Sequence, residues 1–231
     1  MSIAENVAAV RARIEAAAKG RRVLLVAASK MNDAARVKEA VAAGVDACGE
    51  NRVQELVEKN AAHAYDGAPL HFIGHLQKNK IKYLVGVADL IESVDSAELI
   101  ELIDRRAEKL GLTQDILLEV NIGREAAKSG LPPEEVIKTV EFAAAKPHIR
   151  VRGLMAVPPI CPSAEEVRPY FAAMRELFVD IAAKKYDNTS MDLLSMGMSG
   201  DFEAAIEEGA NMVRVGSAIF GARDYSKQTG R

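Results

Sequence analysis

The sequence predicts an α/β protein: a single (β/α)8 barrel of parallel strands, preceded by one extra N-terminal helix. Three observations carry this reading. Short apolar runs of strand length alternate eight times with stretches of helical periodicity, each step taking about 20 to 40 residues. The first run, Val23 to Ala27, is apolar without alternation, the pattern of a parallel strand covered on both faces. Glycines and polar residues gather at the C-terminal ends of the runs, which is where barrels bind ligands. An open doubly wound sheet would show the same alternation, but eight is the strand number that closes.

Taken in order, Ser2 to Lys19 reads as an amphipathic helix. Ile3, Val7, Val10 and Ile14 recur at helical spacing, Arg11, Arg13 and Glu15 take other faces, and Gly20 stops it. Strand one runs from Arg22 to Lys30. Asp33 caps a helix in which Val37 and Val41 face inward, ending at Gly44. Val45 to Cys48 is strand two, Gly49-Glu50-Asn51 the turn after it, and the next helix runs through Val53, Leu56 and Val57. Leu70 to Ile73 is strand three, Lys78 to Val85 a helix, and Ala88 to Glu92 or Ser93 strand four.

Helix Ala97 to Leu110 ends at Gly111, and strand five covers Asp115 to Asn121 with Ile116, Leu117, Leu118 and Val120 buried. Pro132 and Pro133 open a helix to Ala145, since proline is tolerated in a first turn. Ile149 to Leu154 is strand six, and the proline-rich loop Pro158 to Pro162 leads into a helix from Glu165 to Lys185. Met191 to Leu194 is strand seven, Ser199 to Glu208 a helix, Asn211 to Val215 strand eight, and Ala218 to Phe220 a short helix. No linker or shift of composition divides the chain, so residues 1–231 are expected to form one domain.

Hydrophobic residues make up 49% of the chain, enough for a sizeable core, but aromatics are only 5%, so the core is aliphatic. A net charge of -3 gives no electrostatic reason to bind nucleic acid or an anionic membrane, and Lys78, Lys80 and Lys82 read as a solvated helix face. Cys48 and Cys161 lack the spacing of a disulfide framework or a zinc site. The polar N-terminus has no leader-like apolar segment, and no run approaches the roughly 18 apolar residues of a membrane span. A soluble, cytoplasmic protein is expected, a monomer with a weak dimer as the alternative.

Lys30 follows the small residues Ala27, Ala28 and Ser29, which leave room for a bulky partner beside a long amine. A partly desolvated lysine has a lowered pKa, and its free amine can condense with an aldehyde to a Schiff base. The plain alternative is a strand-end lysine reaching for solvent. Phosphate in barrels is often held by the loops after strands seven and eight. Here those loops are Ser195-Met196-Gly197-Met198-Ser199-Gly200 and Arg214-Val215-Gly216-Ser217. Glycines admit close backbone N–H groups, serine hydroxyls add donors, and a helix start adds positive partial charge. Ser199, Gly216 and Ser217 are the candidates, although each is also an ordinary capping residue.

A Schiff-base lysine opposite a phosphate cup describes pyridoxal 5'-phosphate. Arg214, just before the cup, is the candidate partner of the ring nitrogen. As a permanent cation it would donate to an unprotonated pyridine and weaken the electron sink; the alternative is a pairing with Glu203 or Glu207. His75 reads as a loop residue shaping the pocket rim, with an acid or base as the alternative.

The chain also resembles, along nearly its whole length, the pyridoxal phosphate homeostasis protein family. The resemblance rests on Leu25 to Lys30, Gly49-Glu50-Asn51 with Val53-Gln54-Glu55, and Phe72 to Lys80. It continues through Lys128-Ser129-Gly130, Arg152 to Ala156, Ser195 to Ser199, and Val213 to Gly221. It implies a fold like the N-terminal barrel of alanine racemase, with the cofactor on Lys30, Asn51 near the ring, Ser199, Gly216 and Ser217 on the phosphate, and Arg214 at the ring nitrogen. Many relatives carry Thr where this chain has Ser217; either residue supplies a hydroxyl. The family implies intracellular storage, buffering or delivery of the cofactor, with apoenzymes as recipients, rather than robust catalysis.

An amino-acid racemase or related enzyme on the same cofactor is the alternative. Racemization by two bases needs a proton donor on each face of the α-carbon. Alanine racemases take the second, a tyrosine, from an added domain that this sequence does not contain, and Tyr225 in the tail reads as a packing residue. A barrel enzyme acting on a sugar phosphate, with Lys30 as an aldolase-type amine, fits the cup but leaves Arg214 unexplained.

Overall fold

In the computed structural model, which describes residues 1–222, eight parallel strands close on one another in chain order, and β1 pairs with both β2 and β8. The strands are β1 Leu24–Ala28, β2 Ala47–Glu50, β3 Leu70–Phe72, β4 Leu90–Val94, β5 Gln114–Val120, β6 Ile149–Ala156, β7 Thr189–Ser195 and β8 Met212–Val215. The helices are α1 Ile3–Ala18, α2 Ala34–Ala42, α3 Val53–Ala61, α4 Ala97–Leu110, α5 Pro133–Ala144, α6 Ala164–Lys184, α7 Phe202–Glu207 and α8 Ser217–Phe220. The expected (β/α)8 barrel with an extra N-terminal helix is therefore the fold.

The extra helix has a definite place. Ser2 and Glu5 form a capping box at its start, and Ile3, Val7, Val10 and Ile14 are buried. It packs against α7, α8 and α2. With only four residues, α8 is too short to cover the seam between β8 and β1. The 16 residues of α1 cover it instead, and Asn6 Nδ2 donates to Ile219 O at 2.8 Å.

Side chains alternate across each strand, so one set fills the barrel and the other packs under the helices. Val26, Ala47, Leu90, Leu117, Met155 and Met212 form an apolar cluster of their own inside the barrel. Leu25, Ala27, Cys48, Ile91, Ile116, Leu118 and Val213 belong to the larger core between strands and helices. Two residues beyond the inner apolar layer, the barrel changes character. Ala28 and Gly49 are small, whereas Glu92, Glu119, Ser195 and Arg214 are polar. That second layer is the floor of the barrel mouth.

Several boundaries differ from the expectations. β2 includes Gly49 and Glu50, because their backbone pairs with His71 and Phe72 of β3 rather than turning away. β4 starts at Leu90 and β6 runs on to Ala156. Lys78 to Tyr83 is a 3-10 helix, not an α-helix. Val57 is 43% exposed, and Val53 and Leu56 form the inner face of α3 with the aliphatic stem of Lys59. α7 begins at Phe202, three residues later than expected, because Asp201 Oδ1 accepts from Met198 N at 2.6 Å and holds Ser199 in the loop. Lys78 and Lys82 are exposed and Lys80 half-buried; Lys78 pairs with Glu98, and Lys80 and Lys82 lie over the Tyr83 ring.

Cys48 and Cys161 are both free thiols, and burial pushes Cys48 up to about 12, helped by Glu50. Among the described residues no helix is long and apolar enough to cross a membrane, and no group of side chains could hold a metal ion. Tyr225 lies outside the described residues.

Candidate functional site

Lys30 is half-buried in the turn after β1, two residues beyond Ala28. Strand register brings β8 alongside, with Ala27 opposite Val215. A Cβ on Gly216 would lie 3.3 Å from Ala28 O and 3.5 Å from Ala28 Cβ, so a side chain there would crowd the end of β1. The cup therefore adjoins the Lys30 turn on the neighbouring strand instead of facing it across the mouth, which corrects the opposed arrangement expected from the sequence.

The loops after β7 and β8 meet at one atom. Ser199 Oγ accepts from Gly216 N at 3.2 Å and from Ala218 N at 3.4 Å. Two backbone N–H groups thus converge on one oxygen, the geometry an anionic oxygen requires. Ser217 stands exposed at the same turn. Ala218 was not singled out in the sequence, since only its backbone takes part.

Arg214 lies inside the barrel, 4% exposed. Its Nη1 donates to Ser195 Oγ at 2.5 Å and its Nη2 to Ala156 O at 2.9 Å; Glu92 Oε2 is 3.8 Å from Nη1. The pairing with Glu203 or Glu207 is absent, because Glu203 binds Arg13 at 2.7 Å and Glu207 binds Arg168 at 2.5 Å on the outer surface. Burial pushes the guanidinium pKa down while Glu92, Glu119 and Asp201 oppose it. An arginine starts so high that it keeps its proton here.

Behind Arg214 runs a chain of polar contacts that sequence reasoning missed. Ser195 Oγ donates to Glu92 Oε2 at 2.6 Å, and His71 Nδ1 lies 2.7 Å from Glu92 Oε1. Burial alone would raise the Glu92 carboxyl, yet His71, Arg214 and Ser195 together hold it below the ordinary glutamate value. Glu119 behaves oppositely. Burial, with Asp95 adding to it, pushes its carboxyl up to about 7 against the pull of Arg214. A signal existed in each case: Glu92 and Glu119 stand two residues beyond the inward-facing Leu90 and Leu117, at the same parity.

Asn51 follows β2 and lines an open cavity of about 190 Å³ with His75 and Lys80. Its Oδ1 is buried and, among the described residues, accepts no hydrogen bond. Gly74 fixes this corner, since a Cβ there would sit 2.2 Å from Asn51 O. His75 is exposed on the rim, with Nδ1 3.0 Å from Ser129 Oγ and 3.9 Å from Asp95.

Five of the six expected site residues are thus gathered on β1, β7 and β8 or the loops after them, and Asn51 stands next door after β2. The donor set fits pyridoxal phosphate: an amine, converging N–H groups with hydroxyls, a buried cation, and an orphaned carbonyl oxygen on Asn51.

Fold and sequence define the class first: the family model for the alanine racemase N-terminal domain matches residues 1–224. A protein of Aquifex aeolicus named pyridoxal phosphate homeostasis protein is 45% identical over 201 residues, covering 87% of each chain. One of Escherichia coli K12 with the same name is 41% identical, covering 98% of this chain and 99% of the other. The structure of PipY from Synechococcus elongatus, with pyridoxal phosphate bound, superposes with a TM-score of 0.84 at 34% identity, covering 95% of this chain and all of PipY. The chain belongs to the pyridoxal phosphate homeostasis protein family.

Proposed function

We propose that this protein binds pyridoxal 5'-phosphate on Lys30 and serves intracellular homeostasis of that cofactor by storing, buffering or delivering it, without robust turnover of a substrate. The observation that carries the reading is the meeting of the Lys30 turn with the Ser199–Gly216–Ala218 N–H cluster at the joined ends of β1 and β8. The relatives' shared name and the cofactor bound in PipY support it.

When bound, the cofactor supplies an aldehyde. The Lys30 amine adds to its carbon, a C=N bond forms, and the carbonyl oxygen leaves as water with the two amine hydrogens. Ser199, Ser217 and the Gly216 and Ala218 N–H groups hold the phosphate, Arg214 donates to the ring nitrogen, and Asn51 lies beside the ring. Because Arg214 keeps its proton, it leaves the ring nitrogen uncharged and weakens the electron sink that amino-acid chemistry draws on. Recipients are apoenzymes that need the cofactor.

Two measurements test this. Borohydride reduction of the loaded protein followed by peptide mapping is expected to place the label on Lys30; a label elsewhere overturns the site. Exchange of α-protons into deuterium is then followed over a panel of amino acids. Exchange on the order of 1 to 1000 per second, the range of ordinary enzymes, overturns the carrier reading in favour of a racemase or related enzyme.

A further inference from the structure

Beneath the Lys30 turn lies a buried ion cluster that the cofactor contacts above do not use. Lys59 of α3 is 7% exposed, and its Nζ donates to Glu50 Oε1 at 2.6 Å, Glu55 Oε2 at 3.2 Å and Ser29 O at 3.0 Å. Three ammonium protons meet three acceptors. Each carboxylate carries the grip onward. Glu50 Oε1 also accepts from Ser29 Oγ at 2.7 Å and from Tyr65 OH at 3.1 Å, and Glu55 Oε2 accepts from Met31 N at 2.7 Å. Burial and the neighbouring Glu50 push the Tyr65 phenol up, so it remains a donor.

The two residues held in this way, Ser29 and Met31, are those on either side of Lys30. Met31 has φ of 63°, a left-handed backbone that a residue with a long side chain rarely adopts, and its N–H is the group that Glu55 takes. A buried lysine is unfavourable unless paired, and a site needing only volume would be filled by an apolar side chain. Here the cation pairs with two acids: Glu55 also holds the Met31 N–H, Glu50 the Ser29 hydroxyl, and Lys59 itself the Ser29 carbonyl. The Lys30 amine stands at the end of four rotatable bonds, so its attack distance depends on where that backbone is fixed, and displacements of about 1 Å are costly.

We propose that Lys59 is a positioning residue for Lys30: through Glu50 and Glu55 it fixes Ser29 and Met31, and thereby sets the Lys30 amine for addition to the aldehyde. The proposal rests on the reading of Lys30 as the amine that takes the cofactor. The bond made is the C=N link and the group expelled is water, as above; Lys59 itself exchanges no proton in the step.

The test compares two ligands. Pyridoxine 5'-phosphate carries the same phosphate and ring as pyridoxal 5'-phosphate but an alcohol in place of the aldehyde, so it reports binding without the covalent step. In Lys59→Met, the dissociation constant for pyridoxal phosphate is expected to rise at least about tenfold. Borohydride-trapped labelling of Lys30 should slow in parallel, and affinity for pyridoxine phosphate should stay within about twofold. Equal weakening of both ligands would make Lys59 merely structural, and no change in either would remove its role. If Lys59→Met does not fold, Glu55→Gln decides: it keeps the side-chain shape while loosening Met31, and a smaller loss confined to pyridoxal phosphate is expected. Unlabelled Lys30 in the unaltered protein would instead overturn the parent reading.

Discussion

Ser199 Oγ sits 3.2 Å from Gly216 N as acceptor of its proton, and this one contact joins the loop after β7 to the loop after β8. The same oxygen accepts from Ala218 N at 3.4 Å. A hydroxyl that gathers two main-chain N–H groups keeps them aimed at one point and adds its own donor for an incoming oxyanion. On the proposed reading, a phosphate here would meet groups already ordered by the protein's own contacts, which would lower the entropy lost on binding.

Ser199→Ala removes that hydroxyl and leaves the two N–H groups without their shared acceptor. A hydrogen bond to a charged group contributes about 1.5–3 kcal/mol. Affinity for pyridoxine 5'-phosphate is expected to fall roughly 10- to 100-fold, measured by calorimetry. An unchanged affinity would place the phosphate elsewhere.

Lys30→Ala is expected to abolish the borohydride-stable label while leaving the barrel folded. Lys30 stands in a turn, half-exposed, and the strand pairing of β1 with β2 and β8 is made by residues before it. The change removes no strand-pairing group, so a cost of about 1 kcal/mol or less, near the centre of measured substitutions, is expected. Circular dichroism and a urea midpoint close to the parent value are expected. Loss of the fold would give Lys30 a structural role.

Glu92→Gln probes the support of Arg214. Taking the charge from Glu92 leaves a buried guanidinium short of a counter-ion, and breaking such a pair costs about 3–5 kcal/mol, less here because Glu119 and Asp201 also act on Arg214. The pH dependence has a defined sign. Glu92 is held below its ordinary value of 4.5 in the folded state, so its stabilisation is present above that value and is lost as pH falls through the folded one. Urea midpoints of the two proteins should converge below about pH 4.5. Curves that stay parallel into acid would show that Glu92 titrates normally.

Much of this was legible in the sequence because it depends on local pattern. The unalternated run before Lys30, the helical spacing of Ile3, Val7, Val10 and Ile14, and the Gly-Ser turns after the last strands each report a neighbourhood set by adjacent residues. What stayed hidden depends on register around the closed barrel. Glu92 and Ser195 are 103 residues apart in the chain, and only closure brings β4 and β7 to share a hydrogen bond across the interior. The part played by Lys59 stayed hidden too, since nothing local shows that the end of β1 lies above it. The side-by-side placement of Lys30 and Gly216 likewise follows from the pairing of the first strand with the last.

Glu119 gives the opposite pH signature to Glu92. Burial, reinforced by Asp95, raises its folded value to about 7 from an ordinary 4.5. Below 4.5 both states hold the proton and nothing is lost. As pH rises from 4.5 the unfolded chain ionises first, so stability falls across the window up to about 7 and levels above it. The full linkage is at most about 3 kcal/mol, reduced by whatever water reaches the barrel mouth. Glu119→Gln abolishes this slope. The variant is therefore expected to be more stable than the parent at pH 8 and to lose most of that advantage by pH 5. Urea denaturation at the two pH values measures it, and a variant less stable than its parent at pH 8 would show that the Glu119 charge serves Arg214 more than burial opposes it.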